Sequence, residues 1–468
     1  MPSHPPRLPV IGLEIHAELM TGRKLFCSCL GRYGDPPNTN VCPICTGVKD
    51  ARPILDRDAV TLALRAGLAL GCEINRRSSF DRKHYTYPDL PKGYQITQYF
   101  HPICLGGALD VGGRSLPLSR IHIEEDAGKL SREADGTLLV DLNRAGVPLI
   151  EIVTEPILHT PSEAGDFLRA LRELLLFLGV CDGKMNEGSL RCDVNLSLTS
   201  PDGKPGQRTE IKNLNSFRFV EKAIAAEIAR QNALLDRGEA VPRQTLRYDE
   251  RTCLTVPMRE KEESADYGYA PEPHLPPLIL TEEEILAERA ALPPLPRALR
   301  ALLTEKHGLR SETVDRLMSH PDTVRRFLAA SDHTAFGGKL AELILHPASA
   351  EGSPSALGAL AELVGKRRID GRGALRLLPR LSGGRADVLA EAEAEGLLAP
   401  EEEAIPTALI DAVIAEHGDK LTALREGNGA MVGFFIGAVK RRLSAPASSA
   451  ALAEAVRARL QSVMEESK

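Results

Sequence analysis

Over the first 280 or so residues apolar and polar positions alternate in several short runs, and beyond them apolar residues recur at helical spacing instead. The period-two runs predict strands at 10–16, 119–124, 138–142, 147–153, 190–198 and 208–213. Segments with apolar residues every three or four positions predict helices at 57–71, 161–178 and 217–237, the second entered through Pro161-Ser162-Glu163. That order predicts an α+β domain built largely on an antiparallel sheet. Two proline clusters, 271–277 and 293–296, flank a short helix at 281–291. After Pro296 the strand signal stops, and helices are expected at 297–306, 311–319, 322–331, 336–345, 353–366, 370–379 and 383–396. A last group at 407–416, 431–442 and 449–466 reads as a small helical unit of its own. The expected division is a mixed, mostly antiparallel-sheet domain over 1–292, an all-α domain over 293–403 and a small helical tail over 404–468.

Two of the strands carry ionisable residues inside apolar runs. Along 10–16 and on to 18 the alternation puts Glu14, His16 and Glu18 on one face, and in 147–153 it puts Glu151 with Leu149 and Val153. A buried carboxylate without a partner is costly, or takes up a proton. A hard cation is the simplest partner. A third run, 121–129, starts with strand alternation and ends in Glu124-Glu125-Asp126, three acids that repel unless solvent, arginine or a metal offsets them. Alone it reads equally well as a solvated acidic turn. With Glu14, His16 and Glu151 it predicts a magnesium-type site.

At 468 residues, 43% hydrophobic and 26% charged, the composition is that of a soluble globular chain with a large core. Aromatics are 4% with no Trp, so the core must be aliphatic. A net charge of −6 supplies no bulk attraction to nucleic acid, and any such contact needs a local basic patch. No apolar run is long enough to span a membrane and no secretory leader is evident, so a cytoplasmic protein with no membrane contact is expected. The nine cysteines are scattered, as in a reducing compartment. Four of them form Cys27-Ser28-Cys29 and Cys42-Pro43-Ile44-Cys45, a spacing that can close a tetrahedral thiolate site for structural zinc. The alternative is four reduced thiols in a loop that packs without metal.

Common catalytic signatures are absent: no Gly-rich loop ending in Gly-Lys-Ser/Thr, no dinucleotide fingerprint, no HExxH and no G-x-S-x-G. Three polar strings stand out instead. Residues 80–95 combine bases, tyrosines and prolines; 185–195 place Arg191, Asp193 and Asn195 on one strand face; 209–217 end a strand and open a helix whose Asn and Ser residues form a natural anion site. Each could be a solvated loop; together they suggest a broad polar groove.

Gly12-Leu13-Glu14-Ile15-His16, the string 80–95, Glu124-Glu125-Asp126-Ala127-Gly128-Lys129, the run 141–153, Glu187-Gly188-Ser189-Leu190-Arg191-Cys192-Asp193 and the run 210–217 resemble one family, the B-type subunit of the aspartyl/glutamyl-tRNA amidotransferases. The likeness runs from about residue 9 to the C-terminus, and the cysteine quartet resembles the zinc-bearing branch. The resemblance implies an ATP- and Mg2+-dependent ligase. The side-chain carboxylate of Glu-tRNA(Gln) or Asp-tRNA(Asn) is phosphorylated, and ammonia from a separate glutaminase (amidase) subunit displaces phosphate. It implies a heterotrimer with that amidase and a small third subunit, and misacylated tRNA as the further partner. Carried over by position, His16, Glu125 and Glu151 would hold Mg2+, with Glu14, Glu124 and Asp126 as catalytic neighbours and Lys92 where ammonia arrives. Lys83, Tyr87, Arg191, Asp193, Asn195, Lys212, Asn213 and Asn215 would bind the nucleotide. For tRNA phosphates the tail offers Lys440, Arg441 and Arg442 and the middle region Arg297, Arg300 and Lys306, although a charge trio at a helix end is more often solvated or satisfies terminal carbonyls.

The chain departs from the family pattern at Gly47-Val48-Lys49-Asp50, and in 266–274, where Gly268, Ala270 and His274 replace an arginine, a phenylalanine and an acid. It departs again at Gly429 and Ala438 of the tail. Two readings of different class remain: an active transamidase subunit, and a non-catalytic relative that binds tRNA or partner subunits. A generic zinc-stabilised RNA-binding protein would leave the buried acids unexplained.

Overall fold

Strand β1 (Pro9–Glu18) is the spine around which the first half of the chain is built. The structure, a computed structural model, describes residues 7–200, 203–258, 268–349, 352–381, 387–399, 405–425, 429–443 and 449–465. The chain divides into two units, Met1–Lys306 with Met318–Pro321, and His307–Leu317 with Asp322–Lys468.

In the first unit β1 is followed by helix α1 (Arg57–Ala69), capped at its N-terminus by Asp56. Then come β2 (Glu73–Ile74), β3 (Arg77–Ser78), β4 (Asp81–His84), β5 (Tyr94–Thr97), β6 (Cys104–Leu105), β7 (Ala108–Val111), β8 (Arg114–Glu125), β9 (Lys129–Arg132), β10 (Leu138–Asp141) and β11 (Pro148–Thr154). Helix α2 (Pro161–Phe177) begins as its sequence dictates. The Thr160 side chain accepts from the Glu163 N–H, Glu163 reaches back, and Pro161 sits where no N–H is needed. After β12 (Leu190–Leu198) and β13 (Thr209–Leu214), helix α3 (Phe217–Asp236) starts at Ser216, whose hydroxyl accepts from the Phe219 N–H. A cap of this kind is worth about 1 kcal/mol. β14 (Thr245–Asp249), β15 (Leu254–Pro257), β16 (Gly268–Pro271), β17 (Leu278–Ile279), α4 (Glu282–Ala290) and α5 (Pro296–Glu305) complete the unit.

Ten strands form one sheet in the order β15-β14-β13-β12-β1-β11-β8-β6-β2, with β7 on β8. Every pairing is antiparallel except β13 with β14, which are joined through α3. The α+β expectation holds. Ile11, Leu13, Ile15, Ile121, Ile123, Ile150, Ile152, Val194 and Leu196 are each at most 1% exposed and form one face of this sheet. With α1, α2 and α3 they make the main core, α3 lying on β12, β13 and β15. Strand 138–142 appears as β10 but pairs only with β9, in a hairpin outside the main sheet. Strands β4 (Asp81-Arg82-Lys83-His84) and β16 (Gly268-Tyr269-Ala270-Pro271), which pair in a three-stranded sheet with β5, carry no apolar alternation and were invisible to the period-two pattern.

The second unit is helical: α6 (Ser311–Leu317), α7 (Pro321–Ser331), α8 (Gly337–Ile344), α9 (Pro354–Gly365), α10 (Gly371–Leu377), α11 (Val388–Ala394), α12 (Thr407–Glu416), α13 (Gly418–Arg425), α14 (Ala430–Arg442) and α15 (Ser449–Glu465). Helix α11 is shorter than the expected 383–396 because Asp387 caps its start; 383–386 lie outside the described residues. Ile410, Val413, Phe435, Val439, Leu452, Val456 and Leu460 give α12, α14 and α15 a core of their own. Helix α13, mostly polar, had no apolar stripe to announce it. Among the described residues no helix is long and apolar enough to cross a membrane.

Candidate active site

The pairing register decides which side chains meet. Across β1 and β11 His16 faces Glu151, and across β1 and β12 His16 faces Arg191, Glu14 faces Asp193 and Gly12 faces Asn195. Across β11 and β8 Glu151 faces His122. Because successive side chains alternate, Glu14, His16, Glu18, His122, Glu124, Glu151, Arg191, Asp193 and Asn195 share the sheet face opposite the core.

At its centre the His16 Nε2 lies 3.3 Å from Glu124 Oε1 and 3.4 Å from Glu151 Oε2. Ligand atoms of these three residues all fall within 4.8 Å of one another, a donor set of two carboxylates and an imidazole that can hold a hard divalent cation. His122, absent from the sequence reading, completes the group, with Nε2 3.3 Å from Glu151 and 3.7 Å from Glu124. It could have been found: it precedes Glu124 by two on an alternating strand. Burial alone would keep His16 neutral, but the hydrogen bonds of Glu124 and Glu151 raise it well above its ordinary range. His122 is likewise pushed up to about 9, the charges of Glu151 and Glu124 outweighing burial. Burial opposes ionisation of Glu151, yet the two imidazoles hold its carboxyl well below the usual range. Glu14 moves the other way, raised by burial and by Glu151, while Asn195 Nδ2 donates to it at 2.7 Å.

Of the expected set His16, Glu125 and Glu151, the structure brings His16 and Glu151 together with Glu124, and it places the Glu125 carboxylate elsewhere. The alternation along β8 is the reason, since Glu124 shares the face of His122 and Glu125 takes the opposite one. Glu125 instead accepts from Lys92 Nζ and, at 2.8 Å, from the Ile96 N–H. Thr97, the next residue of β5, donates to Glu124 at 3.3 Å.

A cavity of about 550 Å3 opens beside the cluster, lined by Glu18, Arg32, Lys129, Asn143, Arg144, Asn186, Arg191, Asn213 and Asn215 among others. Arg191, facing His16, links the two. Its Nη2 is 3.0 Å from Asp126, which also lies 3.4 Å from Arg144. Burial and Asp126 push Glu18 up to about 7. Asn213 holds a left-handed backbone (φ 60°), and its N–H donates to Asp193 at 2.9 Å, fixing the end of β13 at the cavity. Lys212 pairs with Glu210 at 3.6 Å on the same sheet face. Five expected nucleotide residues are not among those lining this cavity: Asp193, Asn195 and Lys212 stay on the polar sheet face, Lys83 is 5.9 Å from the Tyr85 ring, and Tyr87 lines a separate hollow with Leu130, Arg132 and Leu138.

Cys27, Cys29, Cys42 and Cys45 converge with their sulfurs within 4.8 Å of one another, as a tetrahedral soft-metal site requires. Cys45 is drawn down to about 4, first by the Cys27 thiol and further by the Cys42 N–H and Lys24, while burial raises Cys29 to about 11. Gly47 (φ 72°) closes this loop against Lys92, leaving room for no side chain: a Cβ would lie 3.0 Å from the Lys92 backbone.

Elsewhere, His274 packs 3.3 Å from Glu272, which Arg82 grips in two hydrogen bonds of 2.7 and 3.0 Å. Gly268 pairs with His84 in the sheet; Asp266 and Tyr267 lie outside the described residues. Arg297 and Arg300 are engaged by Asp110 (3.0 Å) and Glu173 (2.7 Å). Lys440, Arg441 and Arg442 are exposed in the last turn of α14, where cations suit the helix dipole, and Arg442 pairs with Glu416.

Comparison with known proteins gives the family of the chain. A family model described as the GatB/GatE catalytic domain matches residues 9–286, and one described as the GatB domain matches residues 325–460. A protein of Anaeromyxobacter sp. (strain Fw109-5) is 43% identical over 455 residues, covering 92% of this chain and 94% of its own. One of Thermomicrobium roseum is 41% identical over 478 residues, covering 97% and 99%, and one of Nitratidesulfovibrio vulgaris (strain DP4) is 41% identical over 470 residues, covering 96% and 98%. All three are named as the B-type subunit of aspartyl/glutamyl-tRNA(Asn/Gln) amidotransferase. With a likeness of that extent running through both units, the chain belongs to the GatB family, the B-type subunit of the aspartyl/glutamyl-tRNA(Asn/Gln) amidotransferases.

Proposed function

We propose that this chain is the subunit of a tRNA amidotransferase that activates and amidates the side chain of Glu-tRNA(Gln) or Asp-tRNA(Asn). The observation that carries the reading is the cluster of His16, Glu124 and Glu151 beside a basic-rimmed cavity of about 550 Å3. The substrate carboxylate attacks the γ-phosphorus of ATP, ADP leaves, and ammonia then displaces phosphate from the acyl carbon. His16, Glu124 and Glu151 would hold Mg2+, which when bound offsets charge on the nucleotide phosphates. Arg191 and Arg144 present cations to the cavity, and Asn213 and Asn215 offer amides there. His122 keeps Glu124 and Glu151 from repelling each other. Half-buried Lys92 and buried Glu125 form a pair that we assign to the ammonia side, where the attacking nitrogen must give up a proton.

The protein works in a multi-subunit complex, with a glutaminase and a small third subunit as partners and misacylated tRNA as substrate. The helical tail over 404–468 is assigned to tRNA through Lys440, Arg441 and Arg442, and the protein is assigned to the cytoplasm. Zinc is the ion assigned to Cys27, Cys29, Cys42 and Cys45. Metal analysis of the purified chain is expected to give about one zinc per chain, and Cys45→Ser to retain almost none. Zinc-free wild type overturns that assignment.

The whole reading is tested by incubating the chain, co-purified with its partner subunits, with labelled Glu-tRNA(Gln), ATP, Mg2+ and free ammonia. Gln-tRNA should form with one phosphate released per amide. If neither Glu-tRNA(Gln) nor Asp-tRNA(Asn) is converted while both bind, the chain is a binding protein and not a ligase subunit.

A further inference from the structure

Lys24 is a charged residue with no solvent exposure at all, and the chemistry above makes no use of it. A buried ammonium must be met by an anion or be strongly destabilising. Its Nζ donates to the Cys45 sulfur at 3.5 Å and to the Leu142 carbonyl at 3.0 Å. The sulfur is thus the anionic partner these hydrogen bonds reach. Its backbone is engaged on the same side, since the Lys24 N–H donates to the Cys29 carbonyl at 2.9 Å. The next residue, Leu25, donates its N–H to the Gly146 carbonyl at 2.7 Å. Gly146 adopts φ 90°, and the stem of Lys24 runs 3.5 Å from where a Cβ there would stand.

We infer that Lys24 is the charge-compensating donor of the four-cysteine cluster and ties that cluster to the cavity wall. The inference rests on the reading that the cysteines hold a divalent ion. Four thiolates around such an ion carry a net charge of −2, with Cys27 and Cys45 buried and Cys29 and Cys42 half-buried, and one ammonium at hydrogen-bond distance halves it. An N–H···S bond of this kind also makes the bound thiolate harder to protonate, which slows loss of the ion. The second hydrogen bond reaches the loop containing Asn143 and Arg144, which line the cavity. Arg144 in turn donates to the carbonyls of Ala127 (3.0 Å) and Gly128 (2.7 Å), just beyond the acidic strand β8. Lys24 is therefore a positioning residue: it touches neither substrate nor the acid cluster, and it joins metal retention to the shape of the nucleotide cavity.

The test uses the full chain in its complex, with Lys24→Met and Lys24→Gln. Zinc transfer to a chromophoric chelator should be about 10–100-fold faster in both variants than in wild type. In Co2+-loaded protein the sulfur-to-cobalt charge-transfer bands should shift when the donor is removed. Lys24→Gln, which keeps a neutral donor, should shift them less, and it carries the test if Lys24→Met does not fold. A purely structural role would lower the melting temperature of loaded and metal-stripped protein alike and leave the bands in place. Wild-type zinc release in both variants, with unchanged bands, overturns the inference. Absence of zinc from the wild type itself overturns instead the reading on which it rests.

Discussion

Glu124→Gln is expected to lower the rate of amidation by roughly 100- to 1,000-fold, with Glu151→Gln as severe, while leaving the fold and tRNA binding intact. The change removes one formal charge and almost no volume, so packing on β8 is preserved. What is lost is one of two carboxylates that meet His16 within 3.4 Å. Glu125→Gln provides the contrast. Its carboxylate pairs with Lys92 on the other side of the strand, so its effect should fall on the dependence of the rate on ammonia and not on Mg2+. Single-turnover rates measured across Mg2+ and ammonia concentrations separate the two. A Mg2+ dependence altered by Glu125→Gln and untouched by Glu124→Gln would return Glu125 to the metal set and reject the assignment made from the β8 register.

Glu227→Ala is expected to destabilise the first unit by about 3–5 kcal/mol. Glu227 is fully buried on α3. Its carboxylate accepts from Arg230 Nε and Nη2 at 2.8 Å each, from Gln231 at 2.8 Å, and from the hydroxyls of Thr209 on β13 and Thr255 on β15 at 2.9 Å each. Truncation leaves those donors without an acceptor in a dry interior. Burial by itself would raise the carboxyl, but Arg230, Gln231 and Thr209 outweigh it and hold it below the usual carboxylate value of 4.5. A lowered folded-state value stabilises the protein above about pH 4.5, and that contribution disappears as the pH falls through the lowered value. Urea unfolding of wild type should therefore weaken along this acid limb, and Glu227→Ala, already weaker at pH 7, should show less of that slope. Equal slopes would mean that Glu227 does not anchor the edge strands electrostatically. Since β13 carries Lys212 and Asn213, the edge it anchors is also a wall of the active site.

Most of the framework was legible in the sequence because strands of the central sheet alternate cleanly. Ile11, Leu13 and Ile15 against Glu14 and His16 gave both the strand and its polar face. The same rule, carried through His122-Ile123-Glu124, separates Glu124 from Glu125; the family likeness names Glu125, the other member of the pair, as ligand. Three acids in a row offer no chemical distinction until a register is known. The wall of the cavity was harder to read. Arg32 and Arg144 lie in loops, and only the folded chain brings them beside Arg191. Strands β4 and β16 escaped because β4 is polar on both sides and β16, four residues with a glycine and a proline at its ends, has no alternation to read. The cysteine loop was legible as a ligand set, but nothing in its spacing signalled that Lys24 would be buried against it.

The division of the central sheet into an apolar and an ionic face bears on how such a site can be lost. In β1 the backbone phase that buries Ile15 is the same phase that presents His16, so the two functions share one parity. A slip or an indel of a single residue would invert both at once, turning carboxylates into the core and isoleucines toward the nucleotide. Lineages that abandon the chemistry while keeping the fold must do so by replacing side chains one at a time. In any such descendant the vacated positions remain aligned on the sheet, at the spacing the register fixes.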